Sequence, residues 1–267
     1  PDSFVELDGF AMTGDEPAGV VCGYGAVMGS PACAFAQDGS GFGKVQAAKI
    51  AKLYDLALKT GIPVVGIYDS AGARVAEGAD VLAAYGELLL RINNLSGVVP
   101  QISLVAGTCA GSSALLACCA DFVVMTKDAQ FFMTPPALSQ DKAEGAGTAE
   151  AAAKAGVAHV VADGDAQAMD AVKQMLMRLP LNNLAAAPVL DFAAPAEELP
   201  AAGASGQALA AAFCDSGSVV ELLGGFAGDC AYTALASLGG SPVGVVAASG
   251  KLTADGCNKI AKMVNVC

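Results

Sequence analysis

The sequence predicts an α/β fold: a largely parallel sheet with helical crossovers, followed by the beginning of a second, incomplete copy of the same unit. Three observations carry this. Apolar runs of strand length alternate with segments of helical spacing through residues 1–180. Two of the strand-to-helix turns are built from small residues, which let backbone approach backbone or a ligand. Finally, Ser3-Phe4-Val5-Glu6-Leu7, Gly29-Ser30-Pro31 and Lys49-Ile50-Ala51-Lys52 recur as Ser218-Val219-Val220-Glu221-Leu222, Gly240-Ser241-Pro242 and Lys259-Ile260-Ala261-Lys262. Ser3 to Ser218 is an offset of 215, Gly29 to Gly240 of 211, and Lys49 to Lys259 of 210. Near-constant offsets mark one supersecondary unit used twice. The second use stops five residues after Lys262.

The elements follow in order. Residues 19–27 and 31–36 are apolar runs about Met28-Gly29-Ser30, a hairpin. Ala47, Ile50, Ala51, Tyr54 and Leu58 mark a helix from Lys44 to Lys59, closed by Gly61. Val64–Tyr68 is a buried strand, Asp69–Arg74 its turn, and a helix runs from about Glu77 to Asn93. Gln101–Val105 is the next strand, Thr108–Ser112 a small-residue turn, and Ala114–Ala120 a short helix. Strands follow at Phe122–Met125 and Gln130–Met133, and a helix at Gly164–Arg178, stopped by Pro180. Residues 181–215 read as a linker ending in a short helix, between a first domain at 1–180 and the start of a second at 216–267. Parallel strands joined by helices place both small-residue turns on one side of the sheet, where ligands bind in such folds.

Composition narrows the function. The 267 residues carry a formal net charge of −12, which disfavours nucleic acid and anionic lipid as partners. No apolar run of transmembrane length interrupts the sequence, so no membrane insertion is expected. Nine cysteines with no Cys-x-x-Cys pair fit buried thiols in a reducing, cytoplasmic compartment, and one histidine with no paired ligands gives no metal site. The chain begins at Pro1 without a basic and apolar leader, and residues are expected to precede it.

The first candidate site is Ser70-Ala71-Gly72-Ala73-Arg74. Its backbone N–H groups at Ala71 and Gly72 suit an anion or a polarised carbonyl, and Arg74 adds a cation. The same sequence equally suits an ordinary turn with a surface Arg. The second is Cys109-Ala110-Gly111-Ser112, read three ways. Gly111 and Ser112 can offer N–H groups as an oxyanion hole. Gly107-x-Cys109-x-Gly111 can be a nucleophile elbow, with His159 as base and Asp121, Asp128 or Asp141 orienting it. Or small residues simply seat the next helix. Asp38–Lys44 lacks the spacing of a phosphate loop and reads as a flexible turn, whose Lys44 can still reach a ligand.

Ser3–Leu7, Asp69–Val75 with Glu77-Gly78, Ser96–Ser103, Cys109–Gly111, Gly156–His159, Leu179-Pro180-Leu181 and, in the second copy, Gly240–Val246 and Lys259–Cys267 resemble the biotin-dependent acyl-CoA carboxyltransferase family. The similarity is to the propionyl-CoA carboxylase beta subunit and glutaconyl-CoA decarboxylase alpha subunit type, truncated at the C-terminus. The resemblance implies a crotonase-like (ClpP/crotonase) fold used twice. It implies an acyl-CoA bound by the first copy at Ser70, Ala71, Gly72, Ala73, Arg74, Cys109 and Ala110, with Gly111 and Ser112 as backbone oxyanion donors. It implies biotin on a carrier protein in trans, held by the second copy, and an active site shared between subunits of an oligomer. Carboxyl transfer then runs through a thioester enolate. This fragment is expected to be inactive alone, because the second copy's own oxyanion turn would lie past Cys267. A split-type malonate decarboxylase subunit is a related alternative, against which the start of a second copy argues. Two positions depart from the family pattern: Ala71 and Ser112 stand where glycine is usual. Their N–H groups stay usable only where φ is negative.

Overall fold

A computed structural model describes residues 3–138, 145–195, 198 and 200–267. β1 (Val5–Leu7) is followed by a small ribbon of β2 (Met12–Thr13) and β3 (Glu16–Pro17), then by the hairpin β4 (Val20–Val27) and β5 (Ser30–Gln37). α1 (Lys44–Thr60) ends on Gly61, whose φ of 65° closes the helix through its N–H on the Ala57 carbonyl. β6 (Val64–Ser70), α2 (Ala79–Leu95), β7 (Gln101–Ala110), α3 (Ser112–Cys118), β8 (Phe122–Thr126) and β9 (Gln130–Phe132) follow. Then come α4 (Ala149–Lys154), β10 (Val160–Ala162) and α5 (Asp165–Arg178).

The main sheet runs in the order β1-β4-β5-β6-β7-β8-β10, antiparallel in its first three strands and parallel from β5 onward. Both faces are covered, and strand residues alternate between two cores. Cys33, Phe35, Val64, Tyr68, Val105 and Cys109 face α1, α2 and α3. Val65, Ile102, Leu104, Phe122 and Val124 face α5 and the second copy.

α6 (Gly206–Phe213) leads into the second copy, which is β11 (Val220–Leu222), β12 (Ala231–Leu238), β13 (Ser241–Ala248) and α7 (Ala254–Val266). Its pairing reproduces the first. Val5 pairs Tyr24, and Val220 pairs Leu235; Val27 pairs Ser30, and Leu238 pairs Ser241. The repeated lysine is buried in both. Lys49 donates to the Val20 carbonyl at 2.9 Å and to Glu6 at 3.1 Å. Lys259 donates to the carbonyls of Leu223 and Phe226 at 2.8 and 2.9 Å. The lysine is repeated and buried, but its acceptors differ: a carbonyl and a carboxylate in the first copy, two carbonyls in the second. Residues 181–195 carry no helix or strand and are pinned to both copies, through Asn183 N–H on the Val98 carbonyl (2.9 Å) and Leu190 N–H on the Gly240 carbonyl (2.8 Å).

Candidate functional site

Strand β7 is longer than its apolar run suggests. Residues 101–105 pair with β6 and β8, and the strand then continues to Ala110 with β9 as its partner. Between Tyr68–Val105 and Ser70–Cys109 the register shifts, two residues of β6 facing four of β7. Asp69 fills the resulting kink. Its carboxylate accepts the Thr108 N–H at 3.0 Å. A Cβ on Gly107 would lie 2.4 Å from the Asp69 carboxyl carbon, so only glycine admits that side chain. The two small-residue turns thereby end level, Ser70 beside Cys109. Gly72 sits against Ala110, whose carbonyl oxygen would be 3.6 Å from a Gly72 Cβ.

The glycine-rich segment 38–43 serves this turn. Gly39 N–H donates to the Asp69 carbonyl (3.0 Å), Phe42 N–H to the Gly72 carbonyl (2.8 Å) and Arg74 N–H to the Phe42 carbonyl (2.8 Å). Arg74 Nε donates to the Gly41 carbonyl at 2.7 Å, which holds its cation against the loop, partly exposed. A Cβ on Gly43 would be 2.4 Å from Glu77 Oε1, and Glu77 in turn accepts the Lys44 N–H. Lys44 is spent on an exposed ion pair with Asp80.

The unusual residues fall where their conformation allows. Gly72 and Gly111 have φ of 98° and 63°, and both are glycine. Ala71 and Ser112 are not among the positive-φ residues, so a Cβ costs their backbone nothing. Of the two expected oxyanion donors, Gly111 gives its N–H to the Phe132 carbonyl at 2.9 Å. Ser112 is the first residue of α3, where a helical N–H has no intrahelical partner. Behind it Ser113 Oγ meets Tyr85 OH at 3.1 Å, and Tyr85 stacks on Phe42 at 4.5 Å.

The cysteine–histidine dyad is a correction. Cys109 is fully buried at the C-terminal end of β7, and burial pushes its thiol far above the ordinary range, the opposite of an activated nucleophile. His159 lies at the other end of the sheet: its Nδ1 accepts the Val123 N–H at 3.0 Å, and Val123 is level with Ser103. Ser103 is level with Gly66 and Cys109 with Ser70, four residues apart along β6, about 13 Å at the usual rise. Burial lowers the His159 pKa to about 3, helped by Lys262. Asp121 shares that far end, accepting the Gln101 N–H at 2.8 Å; Asp128 is exposed in the turn after β8, and Asp141 lies outside the described residues. A cleft of about 320 Å³ lined by Asp121, Asn182 and Cys267 also opens at this N-terminal end of the strands, away from the two turns. Among the described residues no His, Cys, Asp and Glu group is arranged to hold a metal, and no helix is long and apolar enough to cross a membrane.

The carboxyl transferase domain family matches residues 1–267. The chain belongs to that family. It is 40% identical over 212 residues to the methylmalonyl-CoA decarboxylase subunit alpha of Veillonella parvula, covering 71% of this chain and 42% of that one. It is 36% identical over 275 residues to the methylmalonyl-CoA carboxyltransferase 12S subunit of Propionibacterium freudenreichii subsp. shermanii, covering 93% and 52%. The chain thus spans about half the length of the curated relatives it matches. The structure of transcarboxylase 12S, a hexamer with methylmalonyl-CoA and methylmalonic acid bound, superposes with a TM-score of 0.90 at 33% identity, over 100% of this chain and 59% of that one. The fold of this carboxyl transferase domain is crotonase-like, as the resemblance implied.

Sequence reasoning missed Asp69 as a site residue and Phe132 as the acceptor at Gly111. Asp69 was legible as part of its turn, but the two extra residues of β7 that it fills leave no mark in a single sequence.

Proposed function

We propose that this chain forms the acyl-CoA half of a carboxyltransferase that moves a carboxyl group between biotin and a short-chain acyl-CoA. The single observation behind this is the juxtaposition of two small-residue turns at neighbouring parallel strand ends, pinned by Asp69 on Thr108. The thioester lies across Ser70, Ala71, Gly72 and Ala73 on one side and Cys109 and Ala110 on the other. The Ser112 N–H donates to its carbonyl oxygen and stabilises the charge of the enolate; donors of this kind are worth roughly a hundred- to a thousand-fold in rate. Gly111, with its N–H on Phe132, turns the chain so that Ser112 can do this. Arg74 brings positive charge to the mouth of the site for an anionic substrate. The neutral Cys109 thiol is a dry wall of the site.

Biotin, presented in trans by a biotin carboxyl carrier protein, supplies and accepts the carboxyl group on this reading. Residues 216–267 contain a three-stranded sheet and one helix of the second copy but no counterpart of either turn. They offer no donor set for the biotin ureido ring, so the 267 residues alone bind acyl-CoA and do not complete transfer. The domains are 1–180 for acyl-CoA, 181–215 as linker and 216–267 as the start of the biotin domain. Working partners are a second half-site from another subunit in an oligomer, in the cytoplasm, where nine unpaired thiols persist. Calorimetric titration with propionyl-CoA, and a transfer assay with methylmalonyl-CoA and free biotin, test this. Binding without transfer is expected. Absence of thioester binding at millimolar concentration would remove the reading, and transfer by the chain alone would remove the half-site.

A further inference from the structure

The buried face of α2 carries a single polar side-chain atom. That face is Val81, Tyr85, Leu88, Ile92 and Leu95, and only Tyr85 brings a hydroxyl into the core. A buried hydroxyl is costly unless it is bonded. Tyr85 OH meets Ser113 Oγ at 3.1 Å, and Ser113, the second residue of α3, is itself fully buried. The N-cap of α3 is Gly111, which has no side chain to cap it. The Ser113 hydroxyl ties the start of α3 to α2 instead.

The ring of Tyr85 reaches the first turn. It stacks on Phe42, with the ring centroids 4.5 Å apart and 26° between the planes. Phe42 is fully buried, and its backbone holds the turn in both directions. Its N–H donates to the Gly72 carbonyl and its carbonyl accepts the Arg74 N–H, both at 2.8 Å. Gly72, Phe42, Tyr85 and Ser113 thus form a continuous run of contacts from one small-residue turn to the helix that follows the other. This run is separate from the Asp69 bond to Thr108, which joins the turns at the strand ends.

We propose that Tyr85 is a positioning residue of this site: its hydroxyl on Ser113 and its ring on Phe42 set the Ser112 N–H at a fixed distance from the Gly72 turn. The inference rests on the acyl-CoA reading of the two turns and adds the side chain that aligns them. Tyr85 is buried and acts through Ser113 and Phe42, not on the substrate. A small displacement of the Ser112 donor is felt by a thioester carbonyl bound there. CoA without an acyl group has no such carbonyl and does not sense it. Phenylalanine would fill nearly the same volume and keep the stack, so what the hydroxyl contributes is the bond.

Calorimetric titration of the full 267-residue chain with propionyl-CoA and with CoA, alongside thermal melts, tests it. Tyr85→Phe is expected to weaken propionyl-CoA binding about three- to tenfold and to leave CoA affinity within about twofold. It is also expected to lower the melting temperature, because the Ser113 hydroxyl is left buried without its partner. Tyr85→Phe combined with Ser113→Ala removes both hydroxyls. Its melting temperature is expected to return close to the parent's while propionyl-CoA binding stays weak. Affinity that recovers together with the melting temperature would overturn the proposal and leave the hydroxyl a purely structural role. Tyr85→Phe binding propionyl-CoA as tightly as the parent, or losing CoA and propionyl-CoA alike, would overturn it too. A parent chain that binds no propionyl-CoA would remove the acyl-CoA reading itself, and this role with it.

Discussion

Asp69 on one turn accepts the backbone N–H of Thr108 on the other at 3.0 Å, and that bond sets the two strand ends level. A carboxylate accepting a backbone N–H is worth about 1.5–3 kcal/mol where its surroundings are dry. Asp69→Ala is therefore expected to lower unfolding free energy by that amount and to weaken propionyl-CoA binding by about tenfold. Asp69→Asn keeps a carbonyl acceptor and should recover most of both. Urea titration and calorimetry on the three proteins check it.

The conformations at the turns make a second prediction. Gly72 and Gly111 need positive φ, where a Cβ costs about 1–2 kcal/mol, although neither meets a close neighbour there. Gly72→Ala and Gly111→Ala should each destabilise by roughly that much. Ala71→Gly and Ser112→Gly, at ordinary φ, should stay within about 1 kcal/mol of the parent. Denaturant midpoints separate the two pairs of variants.

His159 predicts a pH dependence. Its pKa is lowered from 6.5 to about 3 in the folded chain, chiefly by burial, with Lys262 adding to it. The unfolded chain therefore binds a proton that the folded chain refuses across this window. Stability is full above pH 6.5 and falls as pH drops toward 3, by about 1.4 kcal/mol per pH unit. Between pH 7 and pH 5 the parent should lose about 2 kcal/mol more than His159→Gln. Equal losses in the two would show that the imidazole is not held neutral.

Thiol chemistry separates a lining cysteine from a nucleophile. Cys118 is exposed, whereas Cys109 is buried with its thiol pushed up by desolvation. Iodoacetamide should label Cys118 at least about a hundredfold faster than Cys109 in the folded chain. Cys109→Ser should keep thioester binding and show no change in ester hydrolysis.

Much of the fold is legible in single residues. The shared offsets of Val5, Gly29 and Lys49 with their partners fix both hairpins and both buried lysines. Gly61 and Pro180 mark helix ends through their own backbone chemistry. What is not legible depends on partners. Nothing in Gln101–Ala110 reveals that the strand changes neighbour from β8 to β9, because its apolar pattern is the same beside either. For the same reason the second face of the sheet gives no hint that Leu222, Leu235 and Met263 of the second copy cover it. Whether His159 meets Cys109 is a matter of strand register, which a lone histidine in an apolar stretch cannot convey.

The measurement that bears most directly on the proposed site is the amide shift of Ser112 during titration with propionyl-CoA. A downfield shift is expected that saturates with the calorimetric affinity and is absent with CoA alone. Ser112→Pro removes that N–H at the first position of α3, where proline is well tolerated, and should weaken thioester binding about three- to tenfold with the fold intact. A Ser112 amide that stays still while propionyl-CoA saturates the chain, with shifts confined to residues 216–267, would contradict the assignment of the acyl-CoA site to these two turns.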